Sequence, residues 1–400
     1  MTFPKSPTSQ GTSATRLILT LALAPTIGLG IGRFAYSLVL PDMRESLGWT
    51  YAAAGFMNTI NAAGYLGGAL IASRLCNRFG LARVLRDGTL ACMASLVLSG
   101  LSGNFLVLSF ARLLIGVGAA VAFVAGGAMA ARLAQSHPAR ASLLLSLFYA
   151  GPGFGIFASG LLAPFMLQVF GPGSWWTVWL AMAAISAVMM AVLLANPVDM
   201  PSTLADANPG RFAIRPVLIY LSGYFLFGVG YIAYMTFMIA FVRDAGGGAA
   251  AQSAFWCLIG LSAFTSPWVW RGVLARGHSG VSTALILACN ATGAGLPLLS
   301  QSPAMLALSA LIFGVAFFAV VTATTAFVRF NYPAAQWPAA IAAMTIAFGI
   351  GQTLGPIGTG LITDATGSLT SGLAVSAALL VVGALASAFQ KRLAQPAADA

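Results

Sequence analysis

Charged residues are scarce in this sequence. Only 7% of its 400 residues are charged and 59% are hydrophobic, whereas roughly a quarter of the residues of a soluble protein are charged. A soluble chain with so little charge would not stay dispersed in water. The composition therefore excludes a soluble enzyme, a DNA-binding protein and a disordered scaffold, and it predicts a protein that crosses a membrane several times.

The residues that usually support catalysis are also few. The four cysteines form no CxxC pair, which is typical of free thiols packed as small hydrophobic side chains. The two histidines are too few for the usual metal or haem enzymes, and neither lysine follows a glycine-rich loop that could hold ATP. We therefore expect no catalytic residue, no metal, no cofactor and no ATP, and we expect that the protein is not an enzyme.

Long apolar runs are what the sequence does contain. They are continuous rather than alternating, which excludes a β-barrel and predicts an all-α membrane protein with twelve transmembrane helices. The predicted spans are 17–40, 50–73, 84–102, 105–131, 141–168, 174–195, 216–241, 249–270, 280–299, 304–328, 338–363 and 370–390. The corresponding domains are a tail (1–16), a six-helix bundle (17–195), a linker (196–215), a second six-helix bundle (216–390) and a tail (391–400).

The basic residues lie mainly on one side of this arrangement. Fifteen of the nineteen lysines and arginines fall in the termini, the linker and alternate loops, and only Arg44 and Arg243 fall in the opposite set. The positive-inside rule therefore predicts that both termini are cytoplasmic. The rule also explains the net charge of +11 without a nucleic acid partner.

Short sequence matches relate the two bundles. Two of them recur at an offset of 198 residues, and a third recurs at 204. The matched pairs are 30–36 with 228–234, 113–117 with 311–315, and Gly151-Pro152 with Gly355-Pro356. Together they indicate a duplicated six-helix unit, and such repeats place the ligand site between the halves, near the middle of the membrane.

Three motifs carry a family resemblance. The segment after the second span resembles the G-x-x-x-D-R-x-G-R-R loop of the major facilitator superfamily: Arg78, Gly80 and Arg83 match, whereas Ser73 and Asn77 depart from it. The run from Arg112 through Gly116 to Gly118 resembles the R-x-x-x-G-x-G motif, and Gly151-Pro152 to Gly155 resembles the Gly-Pro core of many facilitator antiporters. The first span is similar to the YbfB/YjiJ-type bacterial subgroup.

This resemblance has several implications. It implies the facilitator fold of two pseudo-symmetric bundles, a secondary transporter that works by alternating access, and a monomer in the bacterial inner membrane. Its partners would be a small-molecule substrate and the lipid bilayer, with protons as the candidate coupling ion. It also assigns Arg78, Gly80 and Arg83 to a gating loop, which the uncharged Asn77 would weaken.

Two arginines are the leading candidates for a substrate site. A charge inside the bilayer costs about 2.5–3.5 kcal/mol on insertion scales, so Arg33 and Arg112 should have a function. Both are predicted in the outer half of the membrane, with Arg33 about 24 Å along its helix and within reach of the outer boundary. One interpretation is a bidentate clamp on an anion. The alternative is that Arg112 fixes helix packing while Arg33 reaches headgroups or the acids after Pro41.

Other polar side chains form a second group of candidates. Asn58 and Asn61 share one face of the second helix, and tyrosines follow one face of the seventh. The substrate-binding candidates in this group are Tyr36, Asn58, Asn61, Tyr231, Tyr234 and Gln352. The alternative interpretation is that they form ordinary hydrogen bonds between helices.

Acids and glycines complete the candidates. No Asp or Glu lies in the middle of a span, so Asp42 is the best available proton carrier. Small residues and prolines allow close helix approach and kinks. The packing and hinge candidates are Gly116, Gly151, Pro152, Gly155, Gly355 and Pro356.

The sequence favours one function and leaves two alternatives. Because the only charges within the spans are arginines, we expect a secondary transporter of a small polar or anionic organic solute. A drug/proton antiporter is the first alternative, although exporters of cations usually need a buried carboxylate. A non-transporting membrane sensor is the second.

Overall fold

The computed structural model describes residues 7–196, 213–333 and 336–393, in which twelve long helical segments follow one another. The first half comprises α1 (Pro7–Pro25, Thr26–Phe34 and Tyr36–Ser46), α2 (Tyr51–Phe79), α3 (Leu81–Leu101), α4 (Phe105–Gln135), α5 (Ala141–Tyr149 and Gly151–Phe170) and α6 (Trp175–Ala195). The second half comprises α7 (Leu218–Asp244), α8 (Ala249–Leu274), α9 (Val281–Leu299), α10 (Pro303–Asn331), α11 (Trp337–Thr366) and α12 (Leu369–Ala388).

All twelve segments are long enough to span a membrane. Ten of them are also apolar enough by composition. The other two, α2 and α8, have 29 and 26 residues and carry more polar side chains. Both pack on the opposite half, α2 against α11 and α8 against α5. Polar groups in such an interface meet protein rather than lipid, which explains the lower hydropathy of these two helices.

Two segments are interrupted where the sequence is rich in glycine and proline. In α1, residues Thr26–Phe34 form a π-helix that contains Arg33, and π-helical turns are frequent at functional sites. In α5, the helix stops at Tyr149 and restarts at Gly151, so that Pro152 stands in its first turn, where a missing N–H costs nothing. The hinge predicted at Gly151-Pro152 thus lies at a break in the helix.

Each predicted span coincides with one helix, but several helices extend beyond the predicted ends, and two of these extensions affect the predicted site residues. Helix α1 continues through Pro41 to Ser46. Helix α2 continues to Phe79, and α3 begins at Leu81, so the predicted gating loop is reduced to Gly80 with a φ of 83°. Arg78 lies in the last turn of α2, and Arg83 in the first turn of α3 is exposed and 3.6 Å from Asp87. The arginines did not require a loop, because an exposed helix end accommodates charge equally well.

The packing of the two halves repeats. Gly116 on α4 faces the carbonyl of Asn61 on α2, and Gly314 on α10 faces the carbonyl of Ile259 on α8. Gly314 lies 198 residues after Gly116, and Ile259 lies 198 residues after Asn61. The absence of a side chain lets each pair of helices approach until backbone meets backbone.

The third repeat was aligned incorrectly. Gly30 on α1 packs against Gly155 on α5, and the equivalent contact in the second half joins Gly228 on α7 to Gly351 on α11. The counterpart of Gly155 is therefore Gly351, at an offset of 196. Gly355 instead packs on Val229, and its match to Gly151 at 204 reflects only the frequency of glycine-proline pairs.

The two halves meet at one end of the bundle. We call the end with Arg16 and Asn196 the near end, and the end with Gly48, Gly171 and Gly246 the far end. Helices α2 and α11 contact each other from Tyr51 and Gly360 at the far end to Leu66 and Gly349 near the middle. In α1, the segment Tyr36–Ser46 packs on α7, whereas the segment Pro7–Pro25 toward the near end packs mainly on helices of its own half. The space between the halves is therefore open toward the near end.

Candidate functional site

Arg33 lies at the centre of the molecule. The spanning segment that contains it is Ala14–Ser46, so Arg33 is close to its midpoint and only 4% exposed. The predicted position near the outer boundary was wrong, because the helix extends past Pro41. Asp42 and Glu45 also lie beyond the reach of Arg33, two to three turns further along. Snorkelling to headgroups is thus excluded, and the guanidinium must find its partners inside the protein.

The partners of Arg33 come from the second half. Its Nη2 donates to Oε1 of Gln352 on α11. The same oxygen accepts a hydrogen bond from the Tyr231 hydroxyl on α7 at 2.9 Å. Three of the predicted candidates are therefore brought together, from helices α1, α7 and α11. This group, which we call the central triad, joins the halves at the depth where a ligand would bind.

The central triad has hydrogen-bonding capacity left over. Nε of Arg33 and Nε2 of Gln352 are both buried and have no hydrogen-bond partner. A buried unpaired donor costs about 1–3 kcal/mol, and more when it is charged. Both free groups are donors, so the arrangement is suited to a ligand that supplies acceptor oxygens.

Aromatic rings surround the triad. The Arg33 guanidinium lies 5.0 Å from the ring centroid of Tyr65. Tyr231 stacks on Phe227 at 4.8 Å and on Phe348 at 5.5 Å, with interplanar angles of 22° and 15°. The remaining rings of this group are Phe34, Tyr224, Phe317 and Phe318. Tyr65, Phe318 and Phe348 are partly exposed, so these rings border the open space between the halves.

Arg112 has a different role from Arg33. Its Nη1 donates to the carbonyl of Gly32 at 2.7 Å, and its Nη2 donates to Oδ1 of Asn58 at 2.7 Å and to the carbonyl of Arg33 at 3.3 Å. Its Nε lies 3.4 Å from the carbonyl of Met57. The guanidinium therefore fastens α4 to the π-helical turn of α1, where the irregular backbone exposes carbonyl groups. The two arginines do not form a clamp, and the packing interpretation applies to Arg112.

Four other candidates are bonded within the protein. The Tyr36 hydroxyl donates to the Ala54 carbonyl at 2.8 Å, and Asn61 donates to the Arg112 carbonyl at 3.1 Å. Tyr234 pairs with Ser309 at 2.6 Å inside the second half. Asn58 donates to the Thr236 hydroxyl at 2.8 Å and so forms a second polar link between the halves. None of these four side chains has an unpaired polar atom among the buried groups of the described residues.

Asp42 is bonded to backbone rather than to a titrating partner. Its two oxygens accept the N–H groups of Gly173 and Trp175 at 2.8 and 2.9 Å. A carboxylate at the N-terminus of a helix satisfies otherwise unpaired donors and interacts favourably with the helix dipole. Asp42 thus caps α6 within the first half, and its proposed role in proton coupling gains no support from its position.

The far end contains polar contacts that the sequence did not predict. Asp364 on α11 accepts the N–H groups of Tyr51 and Ala52 at 2.9 and 2.8 Å, so a carboxylate of the second half caps α2 of the first. Glu45 forms an ion pair with Arg243 across the same boundary. We call these contacts the far-end lock. Arg44 and Arg243, the only basic residues assigned to these loops, were the available signal for it.

Comparisons with known proteins identify the family. The model of the family described as uncharacterised MFS-type transporter YbfB matches residues 25–388. The chain belongs to this family of the major facilitator superfamily. It is therefore a membrane transporter with the facilitator fold. In the described residues, no group of three histidines, cysteines or acids is placed to hold a metal.

Individual relatives are more distant. The probable sulfoacetate transporter SauU of Cupriavidus necator is 22% identical over 390 residues, which covers 90% of each chain. The putative transporter AraJ of Escherichia coli is 33% identical over 101 residues, and the alignment spans only 25% of each chain.

Solved structures share the fold. The nucleoside transporter NupG superimposes with a TM-score of 0.70 at 12% identity, over 94% of this chain and 97% of that one. A bacterial homologue of the human lysosomal transporter Spinster, in an inward-facing and occupied conformation, gives 0.63 at 16% identity, over 96% and 97% of the two chains. At these identities the likeness concerns the fold alone.

Proposed function

We propose that the protein is a secondary active transporter that carries a small organic anion by alternating access. The observation that carries this proposal is the pair of buried, unpaired donors in the central triad, Nε of Arg33 and Nε2 of Gln352. A carboxylate or sulfonate offers several acceptor sites and would satisfy both donors while neutralising Arg33. The description of the relative SauU as a probable sulfoacetate transporter fits this substrate class.

The charge of the site disfavours a cationic drug. Arg33 repels cations at the depth where they would bind, and in the described residues the acids lie at helix ends rather than beside the triad. The aromatic rings alone would suit a lipophilic cation. The repulsion from Arg33, with no carboxylate beside it, is stronger than the attraction of the rings. A cation bound here would lose its water next to a buried positive charge.

The arrangement of the halves suits alternating access. The two bundles, 17–195 and 216–390, would rock about the central triad, and the far-end lock would break as the near end closes. From the distribution of arginines, we place the near end and both termini in the cytoplasm of a bacterial cell, with the protein in the inner membrane as a monomer. The open side then faces the cytoplasm.

A thermal-shift experiment tests the substrate class. Detergent-purified protein would be heated with sulfoacetate, with benzoate and, separately, with tetraphenylphosphonium. A ligand that binds the folded state raises the Tm by mass action. We expect at least one anion to raise the Tm of the wild type but not that of Arg33→Gln, and we expect accumulation of that anion in proteoliposomes.

A matched control distinguishes the loss of the site arginine from the loss of any positive charge. Arg243→Gln removes a guanidinium at the far end, outside the site, and should keep the anion-dependent shift. Stabilisation by tetraphenylphosphonium alone would contradict the proposal and favour the exporter. An anion-dependent shift that survives Arg33→Gln would also contradict it.

A further inference from the structure

We propose that the transported anion is a monoanion that carries an aromatic ring, an inference that rests on the proposed function. The geometry behind it is the position of the central triad against a wall of parallel rings. Three features decide the chemistry of the substrate: the number of charges available to it, the polar groups left free, and the shape of the apolar surface beside them.

The site offers one positive charge for pairing with the substrate. Arg112 lies at the same depth as Arg33, but all three of its nitrogens already donate to carbonyl or amide oxygens of the protein. Among the described residues, Arg33 is therefore the one guanidinium at this depth with an unpaired nitrogen. A dianion would leave its second charge buried without a partner, which is strongly unfavourable. The site is thus suited to one carboxylate or sulfonate group.

The polar side chains of the other candidates near the triad are already bonded within the protein. Asn58, Asn61 and Tyr234 are engaged with Thr236, with the Arg112 backbone and with Ser309. Tyr231 donates its only proton to Gln352. The hydroxyl groups of a sugar acid would lose water without gaining these partners, at a cost for each unpaired group. The body of the substrate should therefore be apolar.

The apolar side chains beside the triad are aromatic rings stacked parallel to one another. The rings of Tyr224, Phe227, Tyr231 and Phe348 lie within 15–22° of parallel, with centroids 4.8–5.9 Å apart. Phe348 belongs to this wall and is partly exposed to the open space. Aromatic pairs in offset-stacked geometry gain free energy beyond their buried area, so a ring is preferred to an aliphatic group of equal size.

Two probes of equal charge and similar size test the inference. Benzoate and cyclohexanecarboxylate each present one carboxylate on a six-membered ring, and the saturated ring has the larger apolar surface. Half-maximal stabilisation would be measured by thermal shift with the full-length protein. Hydrophobic burial alone favours cyclohexanecarboxylate, whereas the ring wall predicts that benzoate binds about 3- to 10-fold more tightly.

A substitution in the wall supplies the second measurement. Phe348→Leu should reduce the preference for benzoate to within about twofold of cyclohexanecarboxylate and leave the latter's affinity nearly unchanged. The control is Phe105→Leu, which alters a partly exposed ring at the far end that stacks on Phe56 at 5.8 Å. This control should retain the preference.

The outcomes distinguish the two proposals. If cyclohexanecarboxylate or an aliphatic sulfonate binds as tightly as benzoate, and the binding requires Arg33, the inference about the ring is overturned and the anion transporter remains. The same holds if Phe105→Leu abolishes the preference as fully as Phe348→Leu. If no anion stabilises the protein through Arg33, both proposals fail.

Discussion

The carboxylate of Asp364 accepts the backbone N–H of Tyr51 at 2.9 Å, although the two residues belong to opposite halves of the protein. Asp364 lies in the last turn of α11, and Tyr51 is the first residue of α2. Thr50 accepts the N–H of Ala53 from within the first half, and the other half supplies the acceptors for the first two N–H groups of α2. The cap exists only while the far ends are together, so it is a contact that transport must break.

We predict that Asp364→Ala destabilises the protein and also opens its far end. Loss of a helix cap costs about 0.5–2 kcal/mol. Here the loss destabilises only the state in which the far end is closed. Ser37, buried at 1% exposure and bonded to the Met235 carbonyl between the halves, can report the opening. In a background with the native cysteines replaced, Ser37→Cys should react faster with a membrane-impermeant maleimide when Asp364 is absent.

Asp42 provides the matched control for this experiment. It caps α6 with the same chemistry, but both partners lie in the first half. Asp42→Ala should lower the Tm comparably and leave the labelling of Ser37→Cys unchanged. Equal labelling in the two variants would show that the Asp364 cap does not hold the far end closed.

A second prediction concerns the repeated glycine contacts. A Cβ on Gly314 would lie 2.8 Å from the Ile259 carbonyl oxygen, and one on Gly116 would lie closer still to that of Asn61. Gly116→Ala and Gly314→Ala should each lower the stability by about 1–3 kcal/mol, because overpacking forces the helices apart. Thermal unfolding in detergent would measure the loss.

Two other glycines calibrate that measurement. Gly67 on α2 and Gly358 on α11 have open space where a Cβ would be placed. Alanine there adds helix propensity of up to about 1 kcal/mol and meets no neighbour. Both substitutions should keep or raise the Tm, and a loss equal to that of Gly116→Ala would contradict the packing argument.

Most of the fold could be predicted from the sequence because each helix is one continuous apolar run. The prediction failed where a helix continues past its apolar run into charged residues. Asp42 lies inside the last turns of α1, since the N-terminus of α6 satisfies its oxygens. Arg78 remains helical because the end of α2 is exposed. A one-dimensional pattern cannot tell a charge in solvent from a charge that a neighbouring helix satisfies.

The site could be predicted only in part for the same reason. Arg33, Tyr231 and Gln352 were each candidates, but their association depends on the packing of three helices, and 319 residues separate Arg33 from Gln352. Tyr234 and Asn61 carry similar polar groups to Tyr231 and Gln352, but they face partners in their own half. Helical spacing identifies a polar face and not the neighbour it meets.

The two intramembrane arginines should respond differently to the same conservative change. Arg33→Lys retains a charge but loses the planar fork, so the protein should fold with a near-normal Tm and lose at least tenfold in anion affinity. Arg112→Lys leaves several carbonyl and amide oxygens without the donors that one ammonium cannot replace. We expect it to lose about 2 kcal/mol or more in stability, because buried groups bonded to a charge are left unsatisfied.

Two measurements separate the loss of stability from the loss of anion binding. The Tm is measured without ligand, and the anion-dependent shift is measured at a temperature where each variant is folded. A fragile Arg112→Lys protein that still binds benzoate at nearly the wild-type concentration would agree with its role in fastening α4 to α1. If that variant instead has the wild-type Tm and loses anion binding, Arg112 belongs to the substrate site. The anion would then be held by two guanidiniums, and the argument for a monoanion would fail with it.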